Sequence, residues 1–206
     1  MTEVVLGSAS PARLRVLRQA GLDPRVLVAD IDEDAIADEL TGAPPAEIVT
    51  RLAVAKADAL VPRVDADDAV LLTCDSMLHI RGELVGKPHT AEVARERWAH
   101  MSGHSGDLLT GHCVTRIRGG EPVARATDSE STEIRFARVD DATVEAYVAT
   151  GEPLAVAGSF TLDGLGGWFV DGIDGDPSSV LGIGLPLTRR LLARVDVDVT
   201  TLWSAR

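Results

Sequence analysis

Apolar and polar positions change period along the first half of the chain. A short apolar run at residues 3–7 (EVVLG) reads as a buried strand, and helical spacing follows from Pro11 to about residue 20, stopped by Gly21. Residues 25–29 read as a second strand, leading into the acidic stretch DIDEDAIADEL. Residues 44–61, PPAEIVTRLAVAKADALV, predict a strong helix with proline near its start. AVLLTCDSMLHI reads as a strand with a polar interruption at Asp75 and Ser76. TAEVARERWAHM predicts a helix with Ala94, Trp98 and Met101 on one face, ended by Gly103.

The second half has a different rhythm. Alternating stretches near 107–118 and 122–138 predict long antiparallel strands joined at Gly119-Gly120. DDATVEAYVATG predicts a short helix with acidic residues in its first turn. Residues 158–184 are glycine-rich loop and strand, and a last helix starts around Leu185-Pro186. Helices between parallel-type strands, then hairpin strands, imply the α/β class: a mixed twisted sheet with flanking helices. No linker or repeat divides the chain, so residues 1–206 are expected to form a single domain, bilobal at most.

Composition narrows the chemistry. Only 3% of residues are aromatic against 45% hydrophobic, so the core is expected to rest on Val, Leu, Ile and Ala. Acidic residues outnumber basic ones, 32 to 20, for a net charge of −12. That field repels nucleic-acid backbones and anionic membranes, so neither is an expected partner. A phosphate site here needs locally concentrated positive charge and a metal ion behind it. Cys74 and Cys113 form no C-x-x-C pair and no disulfide framework. With no leader pattern and no apolar run approaching ~18 residues, a cytoplasmic protein is expected.

Several residues ask for chemistry. Ser10 before Pro11 is a good N-cap, which accounts for Ser10 but not for Gly7-Ser8 or for Arg13, a cation in a first turn. Free N–H groups, two hydroxyls and a guanidinium make a phosphate cradle. On the wheel of the 44–61 helix, Ile48, Val49, Leu52, Ala59 and Leu60 define an apolar stripe with Lys56 in its middle. That lysine must either snorkel out or meet an anion. Asp75 ends AVLLTCD, where α/β sheets tend to place ligand chemistry, although a turn-starting Asp is the plain alternative. Lys87, between Gly86 and Pro88, sits at a rigid corner that could aim an ammonium at a ligand. Around Asp32, Glu33 and Asp34 the default is a solvated helix start, with one carboxylate available to a hard divalent cation. His100 and His104 are interrupted by Gly103, and the chain contains no H-E-x-x-H, P-loop or G-x-S-x-G; GIGLP is too short for a dinucleotide fingerprint.

Taken together, these positions resemble the Maf family of nucleotide pyrophosphatases, septum-formation-type proteins of the inosine-triphosphatase-like fold. GSASPAR is similar to the family's A-S-x-S-P-R-R, DIDE to [IV]-x-E, and LAVAKA to L-A-x-x-K-A. CDSMLHIRGELVGKP resembles A-D-T…G-x-x-L-x-K-P, and MSGHSGDLLTGHCV resembles L-S-G…H-x-V-x-T-x-V. The stretch from YVATGEPLAVAG to GIGLP is similar to the long C-terminal signature. The resemblance implies an α/β fold with a deep cleft, often in a homodimer, and hydrolysis of nucleoside triphosphates to the monophosphate and diphosphate with a divalent metal (Mg²⁺ or Mn²⁺).

Carried over residue by residue, it implies Asp75 as general base and Glu33 as the second acid, the two holding the metal. Ser8, Ser10 and Arg13 would hold phosphate, with Lys56 and Lys87 as further cations. The chain departs from the pattern at Ala12 (for arginine), Ser76 (for Thr), Asp163 (for Gln) and Val156 (for Lys). Ser76 and Asp163, with Ala12, stand at positions the family associates with choosing the base, so the preferred base stays open. Competing expectations are a nucleotide-binding regulator of cell division without turnover, and a nucleotidyltransferase, which lacks its G-x-G-x-R loop here.

Overall fold

The computed structural model describes residues 2–204. Its elements are β1 (Glu3–Gly7), α1 (Pro11–Gln19), β2 (Arg25–Leu27), α2 (Glu33–Glu39), α3 (Pro45–Leu60), β3 (Asp68–Ile80) and β4 (Glu83–Val85). There follow α4 (Ala91–Met101), β5 (Ser105–Arg118), β6 (Glu121–Phe136), α5 (Asp141–Ala149), β7 (Val170–Asp174), α6 (Pro177–Val180) and α7 (Leu185–Arg194). The strands pair in the order β2-β1-β3-β5-β6-β7, with β4 on β3, in a seven-stranded mixed sheet. The class is α/β, as the alternation of periods predicts.

The chain forms two compact units: Met1–Asp75, Thr110–Glu130 and Gly182–Arg206 make the first; Ser76–Leu109 and Ser131–Leu181 make the second. In the first, β1 pairs in parallel with β2 (Val5 with Arg25) and with β3 (Val5 with Leu71). Val5, Ala57, Leu60, Leu71 and Ile117 form its aliphatic core together with the thiol Cys113, and the thiol Cys74 is buried on β3. Gly111 in β5 lets α3 lie directly on the strand, because a Cβ there would overlap the Val49–Thr50 backbone.

The second unit departs from the aliphatic expectation. All three Phe residues and Tyr147 gather around Trp98, whose ring meets Phe136, Tyr147 and Phe169 edge-on at 5.6–5.9 Å. The few aromatics are concentrated rather than spread, and the indole N–H donates to the Ser159 carbonyl at 2.8 Å. In this unit β3 pairs antiparallel with β4 (Leu78 with Val85), and β6 with β7 (Ile134 with Ile173).

Three boundaries differ from the sequence reading. β2 stops at Leu27, two residues early. The glycine-rich region adds the short helix α6 and single 3₁₀ turns. Asp75 does not end its strand: β3 runs unbroken to Ile80, and the polar pair falls between the stretch paired with β1 and the stretch paired with β4.

Candidate active site

The corner between β1 and α1 divides its labour between two serines. Ser10 is extended (φ −70°, ψ 116°), and its Oγ accepts the Arg13 N–H at 3.3 Å, an ordinary N-cap. Ser8 is buried, and its Oγ lies 3.2 Å from the donating Ser10 N–H and 3.0 Å from Arg13 Nη1. Arg13 Nε donates to the Gly182 carbonyl at 2.7 Å. The guanidinium is thus held from two sides at the start of a helix whose first turn contains no acid.

Lys56 resolves the choice between snorkelling and pairing. Its side chain is buried on α3 with Val49, Leu52, Ala53, Ala57 and Leu60, whereas Ile48 and Ala59 are only half-buried, so the apolar stripe lies slightly to one side of the sequence estimate. The ammonium does not reach solvent alone: Nζ lies 2.5 Å from Asp75 Oδ1 and 3.0 Å from Glu33 Oε1. Glu33 arrives there because the Asp32 carboxylate caps α2, accepting the Ala35 N–H at 3.0 Å, which places Glu33 in the first turn.

Asp75 is 6% exposed. Burial pushes its carboxyl above the usual range, outweighing the attraction of Lys56 and Arg13, and Glu33 pushes the same way. A carboxylate raised in this way, with Lys56 against it and a second acid beside it, holds a proton more readily than an ordinary Asp. Two carboxylates against one ammonium also leave acceptor oxygens in excess. Hard oxygen donors of this kind suit a Mg²⁺-type ion that takes its other ligands from substrate phosphates and water. They do not suit a complete protein cage: among the described residues no group of three or more His, Cys, Asp or Glu is placed to hold a metal.

The structure therefore brings Ser8, Ser10, Arg13, Glu33, Lys56 and Asp75 together within the first unit. Ala12 is half-buried in the first turn of α1. Ser76, Lys87 and Asp163 belong to the second unit. Ser76 is half-buried on β3, while Lys87 and Asp163 are exposed on loops. The Lys87 corner is stiffened at Gly86, whose carbonyl accepts from Arg97 Nη1 (2.6 Å) and the Gly158 N–H (3.1 Å).

Two residues around these features carry no mark in the sequence beyond their place in a motif. His112, on β5, accepts the Gly184 N–H at Nε2 (3.0 Å). Glu152, in the second unit, accepts from Tyr147 OH (3.0 Å), Thr161 Oγ1 (2.5 Å) and the Leu165 and Gly166 N–H groups (3.0 Å each). That carboxylate fastens the loop carrying Asp163.

A model of the family described as Maf-like protein matches residues 3–195. A nucleoside triphosphate pyrophosphatase of Saccharopolyspora erythraea is 60% identical over 202 residues, 97% of this chain and 96% of the relative. Proteins of the same name from Nocardia farcinica (60% identical; 97% of this chain, 96% of the relative) and Mycolicibacterium gilvum (51%; 99% and 100%) are similar from end to end.

Proposed function

The chain belongs to the Maf-like protein family, and from that premise we propose that it hydrolyses nucleoside triphosphates to the nucleoside monophosphate and diphosphate. Water attacks the α-phosphorus, the bond from that phosphorus to the α–β bridging oxygen breaks, and diphosphate leaves with the electron pair. The observation that carries the reading is the buried Lys56 bridging Asp75 and Glu33, with the Ser8–Arg13 corner in the same unit.

Asp75 is the general base, taking the proton of the attacking water at the oxygen it now shares with Lys56. Lys56 keeps that carboxylate oriented and adds positive charge near the phosphates. Arg13 and the Ser8 and Ser10 hydroxyls bind phosphate oxygens at the start of α1, where the helix dipole adds to the attraction. Glu33 and Asp75 would hold a divalent cation, Mg²⁺ or Mn²⁺, which when bound neutralises triphosphate charge. Lys87 is assigned as a further cation beside Lys56, and Ser76 and Asp163 to the base, on the family resemblance. We take the substrate to be a free nucleotide, canonical or modified. A homodimer is the expected assembly. Among the described residues no helix is long and apolar enough to cross a membrane.

A nucleotide panel assayed with Mg²⁺ or Mn²⁺ tests the reading. Stoichiometric monophosphate and diphosphate are expected. Orthophosphate as first product would put the attack at the wrong phosphorus. Tight binding without turnover would favour a nucleotide-binding regulator.

A further inference from the structure

Nothing in the proposed chemistry uses His112, yet it lies at the far end of a chain of contacts that leads to Arg13. The imidazole is 1% exposed on β5. Gly184 presents a backbone N–H to Nε2 at 3.0 Å, and an N–H can only donate, so Nε2 carries the lone pair. The ring proton is then on Nδ1, 3.2 Å from the Thr110 carbonyl that accepts it. The ring is neutral, in a single tautomer, and serves as an acceptor.

What it accepts from is the root of a three-residue turn. Gly184 caps α7 without a side chain to help. Ile183 is fully buried. Gly182 has φ +97°, and a Cβ there would lie 2.9 Å from Arg13 Nε. Its carbonyl is the 2.7 Å partner of that same Nε. Fixing the Gly184 N–H fixes the plane of this short turn, and with it the direction in which the Gly182 carbonyl pulls on Arg13.

We propose that His112 is a positioning residue for phosphate capture, acting through the 182–184 turn to hold the Arg13 guanidinium over Ser8. The proposal rests on the reading of Ser8 and Arg13 as the phosphate-binding corner. It does not depend on Asp75 being the base.

The test is the Kd of a nucleoside triphosphate whose α–β bridging oxygen is replaced by methylene, measured with Mg²⁺ by calorimetry. His112→Leu, which lacks an acceptor, is expected to bind roughly tenfold more weakly, the size of one lost buried hydrogen bond. His112→Gln, whose amide oxygen can accept the Gly184 N–H, is expected to recover most of that loss. In an Arg13→Ala background, His112→Leu should add less than about twofold, because the link it breaks is already gone. In turnover assays the Leu variant should raise KM and leave kcat within about threefold. Equal binding by the Leu and Gln variants, or full multiplication of the two single effects, would overturn the proposal. Should the Leu variant fail to fold, ¹⁵N-histidine spectra of the unmodified protein decide: a proton on Nδ1 is expected, and one on Nε2 refutes the arrangement. The binding comparison is read from Kd alone, so it decides the matter whether or not the protein turns substrate over.

Discussion

Two carboxylates in this molecule, Glu152 half-buried and Asp75 buried, sit in opposite environments. Glu152, in the second unit, is surrounded by neutral donors; burial pushes its carboxyl up, but hydrogen bonds from Thr161, Leu165, Gly166 and Tyr147 together hold it below the usual range. Asp75, in the first unit, is more deeply buried, and burial wins over Lys56. A carboxylate satisfied by several fixed N–H and O–H groups is a structural fastener, because giving it a proton would break bonds. One held mainly by a single ammonium, with burial working against its charge, is poised to exchange protons. The same functional group is a rivet in the second unit and, on the proposed reading, a base in the first, and the donor set around it decides which.

The largest effect expected from breaking this contrast is at Asp75. Asp75→Asn should lower turnover by about 10²-fold or more, with nucleotide Kd largely kept; unchanged rates would remove it from the chemistry. Because the base must be ionised and its carboxyl sits high, kcat/KM should fall on the acid side at a pH above the ordinary Asp midpoint of about 3.9. Lys56→Met comes next. It leaves Asp75 buried without its ammonium, so we expect a loss of about 3 kcal/mol in denaturant unfolding and roughly tenfold in kcat. Better stability with normal activity would mean that the ammonium is dispensable.

Glu152→Gln should act on stability rather than on the chemical step. The folded-state carboxyl is lowered, so its contribution is present above the unfolded glutamate midpoint of about 4.3 and fades as pH falls through the folded value. The variant should therefore melt a few degrees lower at pH 7, with the gap closing in acid. The smallest change in kcat at saturating Mg²⁺ is expected from Glu33→Gln, whose loss of one proposed cation donor should show instead as a higher Mg²⁺ requirement; an unchanged requirement would take Glu33 out of the cation site.

Much of this site can be read from residue order because its main signal is local. Lys56 betrays itself as a cation among apolar positions of one helix, and the wheel is enough to say that it needs an anion. Which anion is not legible: Asp75 is 19 residues away and Glu33 lies before the helix. The polar interruption at Asp75 and Ser76 is legible in the strand pattern, but not its cause: β3 changes partners there rather than ending. Arg13 looks out of place in a first turn, but its partner Gly182 is 169 positions distant. No periodicity points to such a contact. The Glu152 knot is hidden for a related reason: two of its donors are the Leu165 and Gly166 backbone N–H groups, which any residue would supply, and the Tyr147 and Thr161 hydroxyls carry no periodic signal. The aromatic core was masked by composition, because a low overall percentage says nothing about clustering.

The two thiols of the first unit give it an internal clock. Burial pushes Cys74 up to about 12 and raises Cys113 as well, so in the closed structure almost no thiolate faces solvent to meet an alkylating reagent. The two thiols must react at the rate at which β3 and β5 open. Cys74 is the immediate neighbour of Asp75, so comparing its alkylation with and without nucleotide times whether binding holds that strand closed.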